Sequence, residues 1–131
     1  MSKRQRLLII DDDRKITQAL SVRIGAVGYD VQVVHDGEAG LEAIDRQIPD
    51  AIVLDLRMPK LDGFGVLAAL RRQERTRHIP VIVLSASAVD EGKSLNAGAF
   101  CFLSKPYDPQ TLLASIKSAL ERNAPATALD R

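Results

Sequence analysis

The sequence predicts an α/β fold in which a parallel sheet of five strands is covered by helices on both faces. Two observations lead to this prediction. Short continuous apolar runs, typical of strands buried on both faces, alternate along the chain with apolar residues at helical spacing. The length of 131 residues also fits a single domain with one sheet and no internal repeat.

Each predicted strand is a short apolar run, and each predicted helix is an amphipathic segment that follows it. The strands are expected at residues 7–10, 30–34, 51–54, 79–84 and 100–103. The helices are expected at residues 14–27, around Leu41 and Ile44 up to Pro49, around Phe64 to Leu70, at residues 88–97, and from Asp108-Pro109 onward. Asp108 can cap the free N–H groups of that last helix, and proline fits its first position.

Composition indicates an ordinary globular protein, with 46% apolar and 27% charged residues. The formal net charge of +1 gives no global field that favours nucleic acid or an anionic membrane. A single cysteine, Cys101, fits a reducing compartment, and no apolar stretch reaches the length of a membrane span. We therefore expect a cytoplasmic protein with a flexible N-terminus at 1–5, a folded domain at 6–122 and a flexible tail at 123–131.

Charged and polar side chains follow the predicted strands at the points where the strands end. Asp11 and Asp12 come after the first strand, Asp55 after the third, Ser85 after the fourth and Lys105 after the fifth. The carboxyl ends of parallel strands meet at one edge of the sheet, where α/β proteins bind their ligands. We therefore expect three carboxylates, a hydroxyl and an ammonium group to share one cleft.

The three carboxylates of this cleft need compensating positive charge. Two unit charges about 4 Å apart repel by ~4 kcal/mol at an effective dielectric constant of ~20. A divalent cation and Lys105 would together offset the charge of Asp11, Asp12 and Asp55. Hard oxygen ligands favour Mg²⁺, with Mn²⁺ as a substitute, and the cluster contains no histidine or cysteine for zinc.

A carboxylate beside a divalent cation and a lysine is a good phosphoryl acceptor, since it is already ionised and needs no general base. The cation and Lys105 can neutralise charge on the transferring group, and Ser85 can donate a hydrogen bond to one of its oxygens. We therefore predict that an acyl phosphate forms on Asp55 and is later hydrolysed by water.

Four sequence motifs contain these residues. They are Leu-Ile-Ile-Asp11-Asp12-Asp13, Val-Leu-Asp55-Leu-Arg-Met-Pro59 with Asp62-Gly63, Val-Leu-Ser85-Ala86 and Lys105-Pro106. With them the chain resembles, from about residue 6 to 122, the receiver domain of bacterial two-component response regulators. The resemblance implies a flavodoxin-like (βα)5 doubly wound sheet with strand order 2-1-3-4-5. It also implies a cis Lys105–Pro106 bond, and a histidine kinase or phosphotransfer protein as phosphodonor.

The resemblance also implies roles for the residues around the metal. Asp12 is expected to be a direct Mg²⁺ ligand and Asp11 a mainly water-mediated one. Asp55 would be both the phosphoacceptor and a metal ligand, and Arg57 would give its backbone carbonyl to the metal. The long side chain of Arg57 could shield the phosphoryl group from attacking water, or it could reach into solvent.

A conformational switch is the second implication of the resemblance. Lys105 would pair with the phosphoryl group, and Ser85 would be the switch hydroxyl. Phe102 takes the place of an aromatic residue that turns inward, often a tyrosine; simple core packing is the alternative for it. The switch would alter the face formed by helix 4, strand 5 and helix 5, which we expect to bind a downstream protein or a second copy of the chain.

The leading functional hypothesis is a signalling receiver that catalyses only its own phosphorylation and dephosphorylation, with no direct contact to nucleic acid or membrane. One alternative is a receiver fragment of a larger transcription factor or hybrid kinase. Another is a small-molecule phosphohydrolase, which would need a second acid where Arg57 stands. A third is a degenerate receiver that only binds partners.

Three further polar residues are given structural roles only. Asp13 is expected to be a solvated loop residue. His35 and His78 are expected in loops far from the acidic cluster, with no part in phosphoryl transfer.

Overall fold

The structure is a computed structural model that describes residues 4–122. Five parallel strands form one sheet in the order β2-β1-β3-β4-β5, which confirms the fold class and strand order. The strands are β1 (Arg6–Ile10), β2 (Asp30–Val34), β3 (Ala51–Asp55), β4 (Val81–Ser85) and β5 (Cys101–Ser104). The helices are α1 (Arg14–Ala26), α2 (Gly37–Arg46), α3 (Gly63–Arg71), α4 (Asp90–Asn96) and α5 (Pro109–Arg122).

The expected flexible ends are only partly covered by these residues. Positions 1–3 and the tail at 123–131 lie outside the described residues. Arg4 and Gln5 precede β1 without regular structure, and the carbonyl of Gln5 accepts a hydrogen bond from the amide of Asp30.

Helices cover the sheet on both faces because successive strand residues point to opposite sides. On one face Leu8, Ile10 and their neighbours pack against α2 and α3. On the other face Leu7 and Ile9 pack against α1 and α5. The inner strands are buried on both faces, which explains their continuous apolar runs.

Four of the helices are preceded by an aspartate whose side chain accepts hydrogen bonds from backbone amides of the first turn. Asp13 caps α1, Asp36 caps α2, Asp62 caps α3 and, as predicted, Asp108 caps α5. Such capping satisfies N–H groups that have no partner within the helix. Asp13 is exposed as predicted, but its carboxylate has this definite structural role, accepting from Lys15 and Ile16.

The observed strand boundaries differ from the predicted ones by one or two residues. β4 begins at Val81 rather than residue 79, because Pro80 has no N–H group for the ladder. β5 covers Cys101–Ser104 rather than residues 100–103. Among the described residues, the helices are all too short or too polar to cross a bilayer.

The register of the sheet brings the strand ends level with one another. Ile10 lies beside Leu54, and Ser85 lies beside Ser104. The chain extends to opposite sides from β1 and β3, so the crevice between their carboxyl ends is the topological switch point of the sheet. The candidate site is located at this crevice.

Candidate functional site

The acidic residues after β1 and β3 come together at the switch point. Asp11 and Asp55 are buried, whereas Asp12 is exposed. One carboxylate oxygen from each of the three residues lies within 4.8 Å of the other two. The structure therefore brings together the acidic cluster that the sequence predicts.

The cluster fits a single small dication. Around Mg²⁺, with oxygen ligands at about 2.1 Å, octahedral geometry places adjacent ligand oxygens about 3.0 Å apart and opposite ones about 4.2 Å apart. The spread of at most 4.8 Å between the oxygens of Asp11, Asp12 and Asp55 is close to this range. The amide of Arg57 donates to Asp55 Oδ1 at 3.3 Å, so the backbone of Arg57 also borders the cluster.

Lys105 provides the positive charge beside the acidic cluster. Its Nζ lies 3.4 Å from Asp11 Oδ2 and 3.4 Å from Asp55 Oδ1. Its amide donates to the carbonyl of Ser85 at 2.8 Å, which ties the end of β5 to the end of β4. The bond between Lys105 and Pro106 is cis, as the resemblance implies. The ammonium group thus lies between the two buried carboxylates.

The pKa of Asp55 is raised to about 6, chiefly because burial disfavours the charged form and secondly because Asp11 carries the same charge. Lys105 and the amide of Arg57 oppose this increase and lower the pKa. A dication beside Asp55 would lower it further. The carboxylate is therefore poised between its protonated and ionised forms at mildly acidic pH.

Asp90, the first residue of α4, is a member of the site that the sequence analysis missed. Its side chain is 3% exposed. One carboxylate oxygen accepts a hydrogen bond from Arg57 Nη2 at 2.6 Å, and the other accepts one from Arg57 Nε at 3.0 Å. Burial raises the pKa of Asp90, but the hydrogen bonds from Arg57 and Ser85 outweigh burial and hold this pKa below its ordinary value. The side chain of Arg57 is thus paired with Asp90 while 61% of it is exposed, so it reaches solvent as one of the two alternatives expected. Its role as a shield of the phosphoryl group stays a prediction.

The sequence offered only a weak signal for Asp90. An acid in the first turn of a helix is normally explained by the favourable charge at the helix N-terminus. Its spacing of five residues from Ser85 at the end of β4 was the available hint.

Ser85 is buried, and its hydroxyl is directed toward α4. The hydroxyl donates to Asp90 Oδ2 at 2.8 Å and accepts from the amide of Ser87 at 3.1 Å. Phe102 lies on β5 beside Val83 and packs, partly buried, against the core on the α2 and α3 face. The packing alternative for Phe102 describes this arrangement, and its role as a switch residue stays a prediction.

One of the two histidines lies closer to the cluster than predicted. His35 Nδ1 is 3.1 Å from the carbonyl oxygen of Asp11, so the expectation that it lies far from the cluster is wrong. The reason is the register of β1 and β2. Val34 lies opposite Ile10, so the residues that follow them, His35 and Asp11, lie side by side. His78 lies in the loop before β4, at the opposite edge of the sheet.

Comparisons with known proteins show the family to which the chain is related. A family model described as the response regulator receiver domain matches residues 7–117. The DNA-binding dual master transcriptional regulator RpaA of Synechocystis is 43% identical over 119 residues, which cover 89% of this chain and 49% of RpaA. The response regulator MprA of Mycobacterium bovis is 38% identical over 127 residues, 95% of this chain and 54% of MprA. The chain therefore spans about half the length of these relatives.

Solved structures show the same fold. A response regulator from Chloroflexus aurantiacus superposes with a TM-score of 0.87 at 30% identity, covering 91% of this chain and 99% of that chain. The receiver domain of the Francisella response regulator 1452 superposes with a TM-score of 0.85 at 34% identity, covering 92% and 99%. The similarity extends over nearly all of each of these chains.

Proposed function

Because the chain belongs to the response regulator receiver family of two-component signalling proteins, we propose that Asp55 accepts a phosphoryl group from a histidine kinase or phosphotransfer protein. The observation that carries the proposal is the convergence of Asp11, Asp12 and Asp55 within 4.8 Å, with Lys105 3.4 Å from Asp55. This arrangement combines a nucleophilic carboxylate, ligands for a dication and a positive charge in one crevice.

In this proposal the residues divide the chemistry among them. Asp11, Asp12, Asp55 and the backbone carbonyl of Arg57 would hold Mg²⁺, with Mn²⁺ as a substitute. When bound, the metal supplies positive charge that stabilises the oxygens of the transferring phosphoryl group. An oxygen of Asp55 forms the new bond to phosphorus as the bond to the donor breaks, and Lys105 neutralises charge on the phosphoryl oxygens.

The proposed output is a change in a protein-binding surface, made up of α4, β5 and α5. Leu95 on α4 is 42% exposed, and Val89 just before α4 is 82% exposed. We propose that the phosphorylated chain binds a downstream protein or a second copy of itself through this surface, and that its only catalysis is its own phosphorylation and dephosphorylation.

A second proposal is that the chain serves as the receiver part of a transcriptional regulator. It is supported by the relatives RpaA and MprA, of which the chain matches about half. RpaA is described as DNA-binding. The formal net charge of +1 gives the present chain no overall field that would favour DNA.

Acetyl phosphate tests the proposed function directly. With Mg²⁺, intact-mass spectrometry is expected to find one added phosphoryl group, and chelation of the metal is expected to prevent the addition. Asp55→Asn should abolish the addition. Asp13→Asn is the matched control, because asparagine also caps a helix and Asp13 lies outside the acidic cluster. Equal phosphorylation of Asp55→Asn, or no phosphorylation with Mg²⁺ present, would overturn the proposal.

A further inference from the structure

The hydroxyl of Ser85 is engaged twice on the side of α4. It donates to Asp90 Oδ2 at 2.8 Å and accepts from the amide of Ser87 at 3.1 Å. A hydroxyl has one proton to donate. While that proton is shared with Asp90, Ser85 cannot donate it to an oxygen of a phosphoryl group on Asp55.

The acceptor of this hydrogen bond is a strong one. Asp90 is buried, with its side chain 3% exposed, and Arg57 donates a hydrogen bond to each of its two carboxylate oxygens. Hydrogen bonds to an ionised partner are about twice as strong as those between neutral groups. Arg57 also fixes the orientation of the carboxylate, because it contacts both oxygens. Ser85 is therefore held by a carboxylate that Arg57 contacts on both oxygens.

We propose that Asp90 is a positioning residue that holds the Ser85 hydroxyl away from the phosphoryl group on Asp55. Ser85 must then break a charge-assisted hydrogen bond before it can donate to a phosphoryl oxygen. The inference rests on the proposed function, and it identifies a contact that opposes the movement of Ser85 toward the phosphoryl group. The strength of that contact sets how readily phosphorylation shifts Ser85.

The same contact links the site to α4. Asp90 is the first residue of α4, and its other partner, Arg57, lies in the loop two residues after Asp55. Release of Ser85 removes one hydrogen bond from the first turn of α4, while the pair with Arg57 remains. The Arg57–Asp90–Ser85 network thus connects the ends of β3 and β4 to the surface that we propose to bind partners.

Beryllium fluoride, which with Mg²⁺ imitates a phosphoryl group on an aspartate, is the probe for this inference. Asp90→Asn keeps the shape of the side chain but replaces the charged acceptor with a neutral one. We expect beryllium fluoride to bind this variant about tenfold more tightly than the wild type, or ~1.4 kcal/mol. Glu91→Gln is the matched control, because it removes one charge from the same turn of α4. The side chain of Glu91 has no hydrogen bond or ion pair within residues 4–122. The affinity of this variant for beryllium fluoride should equal that of the wild type.

The Ser85→Ala background shows whether the effect passes through Ser85. Without the hydroxyl, Asp90→Asn should no longer increase the affinity for beryllium fluoride. An unchanged or weaker affinity of the Asp90→Asn single variant would overturn the inference. Equal tightening with and without Ser85 would also overturn it, since the effect would then come from the freed Arg57. If the wild type binds no beryllium fluoride at all, the proposed function itself fails.

Amide hydrogen exchange of the wild-type protein tests the inference without relying on the folding of any variant. The Ser87 amide donates to Ser85 Oγ, so its hydrogen exchange reports the position of the hydroxyl. We expect Ser87 to exchange faster when the protein is saturated with Mg²⁺ and beryllium fluoride. The Arg57 amide, which donates to Asp55, should report saturation by a shift of its NMR signal. A Ser87 amide that stays equally protected at saturation would contradict the inference.

Discussion

The ammonium nitrogen of Lys105 lies 3.4 Å from Asp55 Oδ1, although the two residues come from different strand ends. At this distance the two charged groups interact directly, and the side chain of Lys105 is itself only 21% exposed. Lys105 therefore lowers the pKa of Asp55, against the opposing effects of burial and of Asp11. It is also close enough to reach a phosphoryl group attached to the carboxylate.

Replacing Lys105 with methionine should slow the phosphorylation of Asp55 by acetyl phosphate about 100-fold or more, since one charge-stabilising donor is typically worth ~10²–10³ in rate. The rate is measured by mass spectrometry at saturating Mg²⁺. Lys117→Met, an exposed lysine on α5, is the control and should react like the wild type. A Lys105→Met variant that reacts at the wild-type rate would show that the ammonium group has no part in the transfer.

Asp55→Asn should stabilise the metal-free protein at pH 8. The pKa of Asp55 is raised to about 6 from the ordinary 3.8, so the folded state binds a proton more tightly than the unfolded state. The stability linked to this proton is fully present below about pH 3.8 and is lost as the pH rises through about 6. The asparagine variant avoids that loss, which we expect to be about 1–3 kcal/mol.

Urea unfolding at pH 4 and pH 8, with a chelator present, measures this difference. The gain from Asp55→Asn should be near its maximum at pH 8 and should shrink toward pH 4. A gain that is constant across this pH range would show that the pKa of Asp55 is not raised.

Mg²⁺ should raise the melting temperature more at pH 8 than at pH 5, because protons compete with the metal at Asp55 below about pH 6. At a free concentration of 100 times Kd, binding to the folded state alone stabilises by ~2.7 kcal/mol. Asp12→Asn should reduce the increase, and Asp13→Asn should leave it intact. The prediction fails if Asp12→Asn and the wild type respond equally to a titration with Mg²⁺.

Arg71→Met should destabilise the fold by about 2–4 kcal/mol, although the residue lies at the edge of the sheet opposite the candidate site. The guanidinium donates to the carbonyls of Arg77 and Ile79 and to that of Gly98, at 2.7 to 3.1 Å. It thereby ties the loop before β4 to the loop before β5, and hydrogen bonds from a charged donor contribute more than neutral ones. Arg72→Met is the exposed control, and equal unfolding free energies for the two variants would exclude this role.

Gly63→Ala should destabilise the protein by about 1–3 kcal/mol, in the range of an overpacked core. A Cβ at this position would lie 2.7 Å from the carbonyl oxygen of Asp55 and 2.7 Å from Leu56 Cα, so the loop after β3 would have to move. Gly25→Ala in α1 is the matched control. It meets no atom within 4 Å and should stabilise by about 0.5–1 kcal/mol. Denaturant unfolding compares the two substitutions, and a stabilising Gly63→Ala would be the contrary outcome.

The sequence determined the parts of this protein that depend on short-range patterns. Apolar periodicity determined the number of strands and helices and their succession along the chain, and it placed Asp11, Asp55, Ser85 and Lys105 at strand ends. The strand order within the sheet followed from the family resemblance. Once the strands are parallel, those ends must share an edge, so the acidic cluster was predictable before any coordinates. Strand boundaries were less well predicted, since a proline such as Pro80 changes the ladder locally.

Only the tertiary structure determined which groups the polar side chains contact. The pair of Arg57 and Asp90 joins residues 33 positions apart, and His35 contacts Asp11 from 24 positions away. These contacts depend on the register of neighbouring strands and on the burial of Asp90 at the start of α4, neither of which leaves a periodic signal. Asp90 looks like an ordinary acid at a helix start in the sequence, and burial beside Ser85 and Arg57 gives it a definite role in the site.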